Sequence, residues 1–425
     1  MASRNRQRRF QIFCLLLALT CQERALCSAQ SSSTPVNLPP AVLPQNTPPV
    51  AAQTNPPPAS ANGSAQTPEQ EKKEEKAEKK EEKKEKKEKK KHAGSFVIAP
   101  IPIVSPALGS GVIPVVGYIT PVPEREHGET PSVFGVAGLI TNNSSRGIAV
   151  GADLYFKQSK YELTSGYAHG SLDYNLYGTG FANGNADLKL PLEQSGQAYF
   201  LKFLRRIPWN FYVGGRFFTG SSILIVKPAS GNLPPIPPDV GLHTNLRSLG
   251  FEVWRDTRPN KFYPVKGTVF DFTSDFFGTA LGSRYTFQSY KVTFNKYWTI
   301  PKKQVLAYNA FYCATGGNAP FYAQCIYGTN NELRGYTAGR YIDDFMLATQ
   351  VEDRLELPWR FGIVGFAGVG AVTPGPSRFR SNQFLPAGGT GIRYMLSKPY
   401  HVNLRTDFAW GKDNFTWAVG VGEAF

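Results

Sequence analysis

The sequence predicts an all-β protein: a 16-stranded antiparallel transmembrane β-barrel, preceded by a disordered tether. Three observations predict it. From Ser95 onward apolar and polar residues alternate with period two, in segments of about ten residues. That is the length a membrane-crossing strand needs, against about 5–6 residues in soluble sheets. Gly, Tyr and Phe are abundant, at 41, 20 and 29, while Met and Cys are scarce, at 3 and 5. Outside the N-terminus no apolar run approaches the roughly 20 residues of a membrane helix, so any crossing is made by strands.

Residues 1–29 read as a secretory signal. Arg4, Arg6, Arg8 and Arg9 precede the apolar run Phe10–Thr20, and Cys27-Ser28-Ala29 supplies small residues before a cut ahead of Gln30. Residues 30–93 read as a disordered periplasmic linker. Its first part is rich in Pro, Gln, Ser and Ala without apolar period and cannot offset chain entropy by burial. Glu69–His92 carries twelve Lys and nine Glu and suits a solvated helix held by opposite charges three and four residues apart. This run is either a passive spacer or an electrostatic contact to the cell wall.

Residues 94–425 form the expected barrel. Thr268, Phe270, Phe272 and Phe276 alternate with Asp271, Thr273 and Asp275. Val402, Leu404, Phe408 and Trp410 alternate with His401, Asn403, Arg405 and Asp407. The apolar face should meet lipid and the charged face a watery lumen. Strands are expected near 96–104, 110–120, 131–141, 145–157, 160–175, 194–206, 209–226, 241–255, 267–278, 283–300, 303–314, 343–357, 360–372, 388–397, 400–411 and 413–425. The even number places both termini on the periplasmic side. Pro100 and Pro102 make the first segment fit an edge or lead-in better than a central strand.

Four local patterns stand out within this region. Asn331–Pro358 begins with a Gly-rich segment carrying Arg334, Gly335 and Tyr336, then becomes a strand with Glu352, Arg354 and Glu356 on one face. Trp254–Gly267 reads W-R-D-T-R-P-N-K-F-Y-P-V-K-G, with Asp256, Arg258, Pro264 and Gly267 in a turn. Phe366-Ala367-Gly368-Val369-Gly370 follows the long strand, and Arg405-Thr406-Asp407 precedes the last one. Phe415, Trp417, Val419, Val421 and Phe425 form one face of a final strand ending in phenylalanine.

Together these resemble the bacterial surface-antigen superfamily of outer-membrane barrels, the group of the BamA and TamA assembly factors and the two-partner secretion transporters. The resemblance implies that the R-G-Y tip folds into the lumen and that Arg334 pairs there with Glu352 or Glu356. It implies that Asp256–Gly267 is a periplasmic turn and that Phe415, Trp417 and Phe425 are a C-terminal insertion signal. It also implies a bacterial outer-membrane location. One departure is plain: the family's F-x-D-x-G has Gly368 where the aspartate would be. A second is that folded periplasmic transport modules are not visible in residues 1–93, so the resemblance covers the barrel part alone.

Composition excludes other classes. The net charge of +15 is partly due to the five Arg against one Glu in residues 1–29 and to the Lys-rich run. The rest is dispersed along strands instead of clustering beside stacking aromatics, so no nucleic-acid partner is expected. The chain contains no P-loop, HExxH or GxSxG, and His92, His127, His169, His243 and His401 are far apart. No enzymatic activity, metal or cofactor is expected. Cys14, Cys21 and Cys27 lie in the signal. Cys313 and Cys325 remain, either bridged in an oxidising compartment or as two unpaired thiols.

The resemblance implies a barrel that assists insertion or translocation of proteins or envelope components. Its partners would be outer-membrane lipid and nascent outer-membrane or secreted proteins. The alternatives are a passive pore or structural barrel without client handling, and a surface adhesin.

Overall fold

The computed structural model describes residues 95–105, 108–121, 131–186, 189–228, 241, 243–300, 303–328, 332–398, 401–412 and 414–425. The signal segment 1–29 and the linker 30–93 lie outside the described residues. The strands are β1 (Ser95–Ser105), β2 (Gly109–Ile119), β3 (Val133–Thr141), β4 (Arg146–Phe156), β5 (Tyr161–Leu176), β6 (Leu190–Ile207), β7 (Phe211–Val226), β8 (His243–Asp256) and β9 (Gly267–Phe277). There follow β10 (Phe287–Ile300), β11 (Gln304–Gly317), β12 (Cys325–Ile326), β13 (Ile342–Asp343), β14 (Phe345–Glu356), β15 (Phe361–Thr373), β16 (Leu385–Ser397), β17 (Val402–Gly411) and β18 (Asn414–Val421). A short helix, α1 (Phe181–Ala186), lies between β5 and β6.

Sixteen of these strands close an antiparallel barrel in which β11 pairs directly with β14 and β1 meets β18. The two remaining strands, β12 and β13, pair with each other inside the β11–β14 loop through Cys325↔Asp343 and Ile326↔Ile342. An 11-residue strand spans about 37 Å along its axis. Tilted by about 40°, it covers the roughly 25 Å apolar band of an outer-membrane barrel.

The outer wall is apolar. Phe134, Ile140, Ile148, Phe203, Leu249, Phe276, Leu347, Ile363, Ile392 and Trp410 are all exposed, a continuous surface that water would not tolerate and lipid requires. The strand connections differ at the two ends. At the rim holding the end of β18, Pro208–Asn210 and 357–360 are tight turns, while the opposite rim carries the 318–344 loop. Short periplasmic turns and long external loops are the usual asymmetry of such barrels.

Four departures of the structure from the sequence expectations bear on the lumen and the seam. First, β1 is a full strand despite its prolines, in unbroken register with β2 from Ser95↔Ile119 to Ser105↔Gly109. Pro100 faces Pro114 in that ladder. A ladder that runs through both places their donorless nitrogens on its outer sides. For Pro114 that side is β3, and there the register lapses between Val112↔Ile140 and Val115↔Ala137. For Pro100 and Pro102 it is β18, with which β1 is in register only at Val104↔Val419.

Second, the last strand stops at Val421, short of Phe425. Gly422 has φ +86° and turns the tail away from the wall. Third, β6 begins at Leu190, where 194 was expected, because Leu190 and Leu192 are buried inward. Fourth, the lumen is not uniformly polar. Leu176, Leu190, Leu192, Leu224, Leu246 and Phe277 form an inward apolar patch that packs on Phe321, Tyr322 and Ile342 of the 318–344 loop. A loop folded inside a barrel needs an apolar wall on which to bury its own side chains.

Candidate functional site

The loop between β11 and β14 enters the lumen and is held there by three devices. At its base Cys313 of β11 is disulfide-bonded to Cys325 of β12, closing a separation of 12 residues. Both cysteines are fully buried. In its middle Tyr327, Leu333, Tyr336 and Tyr341 pack on Phe311, Met346, Ala348, Val372, Leu385 and Ala387 of the wall. At its tip lies Arg334.

A disulfide across a short loop stabilises by about 2–3 kcal/mol. The Cys313→Ser/Cys325→Ser double variant should therefore lower the unfolding free energy by about that much. Protease protection of residues 332–341 should stay unchanged, because the other two devices remain. A denaturant titration in micelles, with limited proteolysis, checks both.

Arg334 is 7% exposed. Its Nη2 lies 2.5 Å from Glu352 Oε2 in a close ion pair and donates to Gln350 Oε1 at 3.1 Å. Its Nη1 donates to Asp407 Oδ2 at 3.0 Å. The guanidinium lies flat on the Phe366 ring, 3.5 Å from the centroid. Only a planar cation with forked donors fits two carboxylates, an amide and an aromatic face at once.

The strands set this geometry. Residues two apart share a face, so β14 delivers Gln350, Glu352 and Arg354 inward, and β17 delivers Asp407 beside Arg405. Arg354 Nε meets Glu352 Oε1 at 2.6 Å and Arg393 Nη1 meets Asp407 Oδ1 at 2.6 Å. Arg393 Nε meets Glu423 Oε2 at 2.8 Å. Each of these buried charges therefore has an opposite partner, which desolvated ions require.

The rest of the tip is equally specific. Gly335 has φ +105°, and a Cβ there would lie 3.1 Å from the Gly411 nitrogen and the Ala387 Cβ. Only glycine combines that backbone with that approach. The Tyr336 hydroxyl donates to Pro386 O at 2.6 Å and accepts from the Lys412 amide at 3.0 Å. The loop is thus tied to β14, β15, β16 and β17.

Helix α1 covers the loop from the external side. Arg340 Nε donates to Gly184 O at 3.0 Å, Tyr341 Oη donates to Asn185 Oδ1 at 3.0 Å, and Phe181 stacks on Tyr341 with centroids 5.7 Å apart.

One expected member of the lock is placed differently. Glu356 does not reach Arg334. It shares a face with Glu352, but four residues of strand carry it about 13 Å toward the periplasmic rim, where its Oε1 lies 3.3 Å from His401 Nε2. The acidic partner missing at Gly368 is supplied by Asp407 from another strand. Gly368 instead makes room for the loop. A Cβ there would lie 2.3 Å from Thr349 O and 2.6 Å from Leu333 Cδ1, so the bare backbone is what lets the loop approach β15. Gln350 and Arg393 carry no motif, and only their inward parity could have pointed to them, whereas Glu423 has the outward parity of Phe415 and Trp417 and is brought inside by the turn at Gly422. Phe366 and Asp407 lay in patterns visible in the sequence without a partner assigned.

The tail is the other correction. Phe415 and Trp417 face outward, 51% and 45% exposed. Phe425 does not join them. It packs inside the barrel against Val269, Tyr297 and Ala307, and Arg354 Nη2 donates to its main-chain oxygen at 3.0 Å. Glu423, drawn inward by Arg393 and by Asn403 Nδ2 at 2.7 Å, takes the tail with it.

In the β8–β9 turn Arg258 Nη2 meets Asp256 Oδ2 at 2.8 Å, and Asn260 Oδ1 accepts the Phe262 and Tyr263 amides at 2.8 and 3.1 Å. Pro264 is buried. Gly267 has φ +109°, and a Cβ there would strike Thr257 O at 2.7 Å. Tyr263 stacks on His401 of the β16–β17 turn with centroids 3.9 Å apart.

Burial lowers the His401 pKa below its usual value, and Glu356 and Glu423 only partly oppose this. A depressed folded-state value means that stability present above the unfolded pKa of about 6.5 is lost as pH falls through it. Acidification from about 7.5 to about 5.5 should therefore lower the hydrogen-exchange protection of the Phe262 and Tyr263 amides, each rate being referred to the intrinsic rate of an unstructured amide at that pH. His401→Phe should remove that pH dependence, and equal protection at both pH values in the unaltered protein would refute it.

Comparison with known proteins agrees with this architecture. The Omp85 superfamily domain matches residues 143–425. No curated protein matches the chain by sequence. Among solved structures, BamA from Haemophilus ducreyi lacking POTRA domains 1–3 is similar at 14% identity and a TM-score of 0.52, covering 77% of this chain and 70% of that one. CdiB from Escherichia coli is similar at 11% identity and a TM-score of 0.51, covering 77% and 67%. Identities this low make these likenesses of fold, whereas the family match extends over more than half of the chain. The chain belongs to the Omp85 superfamily and is a barrel of the bacterial outer membrane.

Proposed function

We propose that this barrel assists the insertion or translocation of client proteins at the outer membrane, by opening between β1 and β18. The observation that carries this reading is the seam. Every other neighbouring pair of barrel strands is in register over most of its length, whereas β1 and β18 are in register at Val104↔Val419 alone. Two prolines deprive β1 of donors on that side, and Gly422 withdraws the tail that would otherwise extend β18. A strand edge with unmade hydrogen bonds is a template for another strand. Nascent outer-membrane or secreted chains, which must acquire strand partners, are clients of matching chemistry.

A passive pore is less well supported. The R-G-Y tip, its disulfide-anchored base and α1 fill the lumen from the external rim down to the level of Glu352 and Phe366, and their contacts are buried and multiply bonded.

The test is a Val104→Cys/Val419→Cys pair at the seam. Oxidised, it should abolish client insertion, and reduction should restore it, with the unaltered protein carried through the same treatment as control. A crosslinked barrel that inserts clients normally, or an outer-membrane proteome unchanged on deletion of the gene, would remove this reading. Large steady conductance in planar bilayers would favour the pore.

A further inference from the structure

Two turns at the periplasmic rim repeat one design. Pro208-Trp209-Asn210 joins β6 to β7, and Pro358-Trp359-Arg360 joins β14 to β15. In each, the tryptophan has a left-handed φ, 62° and 68°, and so has the residue after it, 59° and 73°. Each turn is followed by a phenylalanine, Phe211 or Phe361. A bulky residue in that region is strained by about 1–3 kcal/mol, and the two indoles project outward at 82% and 89% exposure. These are the two most exposed large apolar side chains among the described residues.

The first turn is also braced. Arg255 Nε donates to Trp209 O at 2.8 Å, and Arg206 Nη2 donates to Gln158 O of the neighbouring turn at 3.0 Å. A braced support for a large apolar side chain left almost wholly exposed points to an external partner.

The charge around these turns gives the partner's sign. The connections 157–160, 208–210, 257–266, 301–303, 357–360 and 398–401 contain no Asp or Glu. Lys157, Lys160, Lys303, Arg360 and Lys398 are exposed there, as is Arg205 near the end of β6. The connection 120–132 differs, carrying both signs in sequence, so the basic arc runs from β4 to β17 and leaves out the strands nearest the seam.

Its extent gives the partner's form. In the barrel order the two tryptophan turns are separated by β8, β9, β10 and β11, or about 135° around a closed sixteen-stranded wall. A partner that meets both surrounds the barrel. Tryptophan is the side chain whose apolar ring and N–H suit the headgroup level of a bilayer. A Lys or Arg near an anionic membrane surface contributes about 1 kcal/mol.

We propose that the periplasmic rim from β4 to β17 is a binding surface for anionic phospholipid, with Trp209 and Trp359 inserted at headgroup depth. Such a surface fixes the depth of the wall and gathers anionic lipid along the arc away from the seam.

The full chain would be folded into phosphatidylcholine vesicles containing about 30 mol% phosphatidylglycerol, with bromine on the acyl chains of one lipid or of the other at equal bromine content. Subtracting the fluorescence of Trp209→Phe/Trp359→Phe isolates the two turn indoles, and the shifted gel mobility of an unheated barrel verifies folding. Brominated phosphatidylglycerol should quench that component at least about twofold more than brominated phosphatidylcholine. The excess should vanish at high salt, since such attraction is screened within a Debye length. It should also vanish in Lys160→Glu/Arg205→Glu/Arg360→Glu/Lys398→Glu. Equal quenching by the two lipids, quenching by neither, or a preference insensitive to salt would each overturn the proposal. The salt titration needs no variant, so poor folding of the charge-reversed chain leaves the test intact.

Discussion

Replacing Arg334 with alanine should destabilise the barrel by about 3 kcal/mol and free the lumen loop, the low end of the 3–5 kcal/mol typical when one partner of a buried ion pair is removed. The low end is expected because Glu352 and Asp407 keep Arg354 and Arg393, each at 2.6 Å. Arg334→Lys should fall between the two, since an ammonium cannot span Glu352, Asp407 and Gln350 while lying flat on Phe366. Glu352→Gln should cost more than Arg334→Ala, because it leaves three guanidinium groups around a neutral amide. The double variant should lose less than the two singles summed, the sign of direct coupling. Denaturant midpoints in micelles give the energies, and protease cleavage within 332–341 reports release of the loop. A loop that stays protected in Arg334→Ala, with an unchanged midpoint, would refute the lock.

Gly368→Asp should be at least as damaging, although it restores the family's F-x-D-x-G pattern. A Cβ at this position meets Thr349 O at 2.3 Å and Leu333 Cδ1 at 2.6 Å, one atom belonging to the wall and the other to the loop. The wall cannot move without breaking the β14–β15 ladder at Gln350↔Gly368, so the loop must be displaced. The new carboxylate would also be buried, and Arg334 is already satisfied by Glu352 and Asp407. Overpacking of about 1–3 kcal/mol is then joined by the cost of a poorly paired charge. Gly368→Ala separates these terms, since it retains the steric conflict and omits the charge. If Gly368→Asp instead raised the midpoint, the acidic partner would be interchangeable between β15 and β17, and the reading of Gly368 as a contact surface for the loop would fail.

Much of the wall was legible along the chain. Period-two alternation in strands such as Thr268–Phe276 reports which side chains face lipid, and that depends on residues two apart, so it is written locally. The R-G-Y tip was legible through the family resemblance, which implied that it enters the lumen. The partners of Arg334 were not. Glu352 and Glu356 have the same parity, and the sequence offers no way to choose between them. The choice depends on how far along β14 the tip descends, and that is fixed by the disulfide at Cys325, by the seating of Tyr336 against Pro386 and Lys412, and by the bare backbone at Gly368 and Gly411.

The tail illustrates the same division. Phe415 to Phe425 alternate as one strand would, and by that pattern Phe425 belongs on the outer wall. Gly422 permits a turn but does not demand one. Burial of Glu423 against Arg393 and Asn403 directs it inward, and these residues come from β16 and β17.

The sequence by itself determined the class, the number of strands and the face each strand turns to lipid, because a hydrocarbon surround imposes a two-residue rule on every segment independently. Only the tertiary structure decided which carboxylates hold Arg334, where the chain's last residues go and how weakly β1 meets β18. Those outcomes depend on charges and backbones brought together from strands far apart in the chain, and the cost of leaving a buried ion or hydrogen-bonding group unmatched is settled only once the wall has closed.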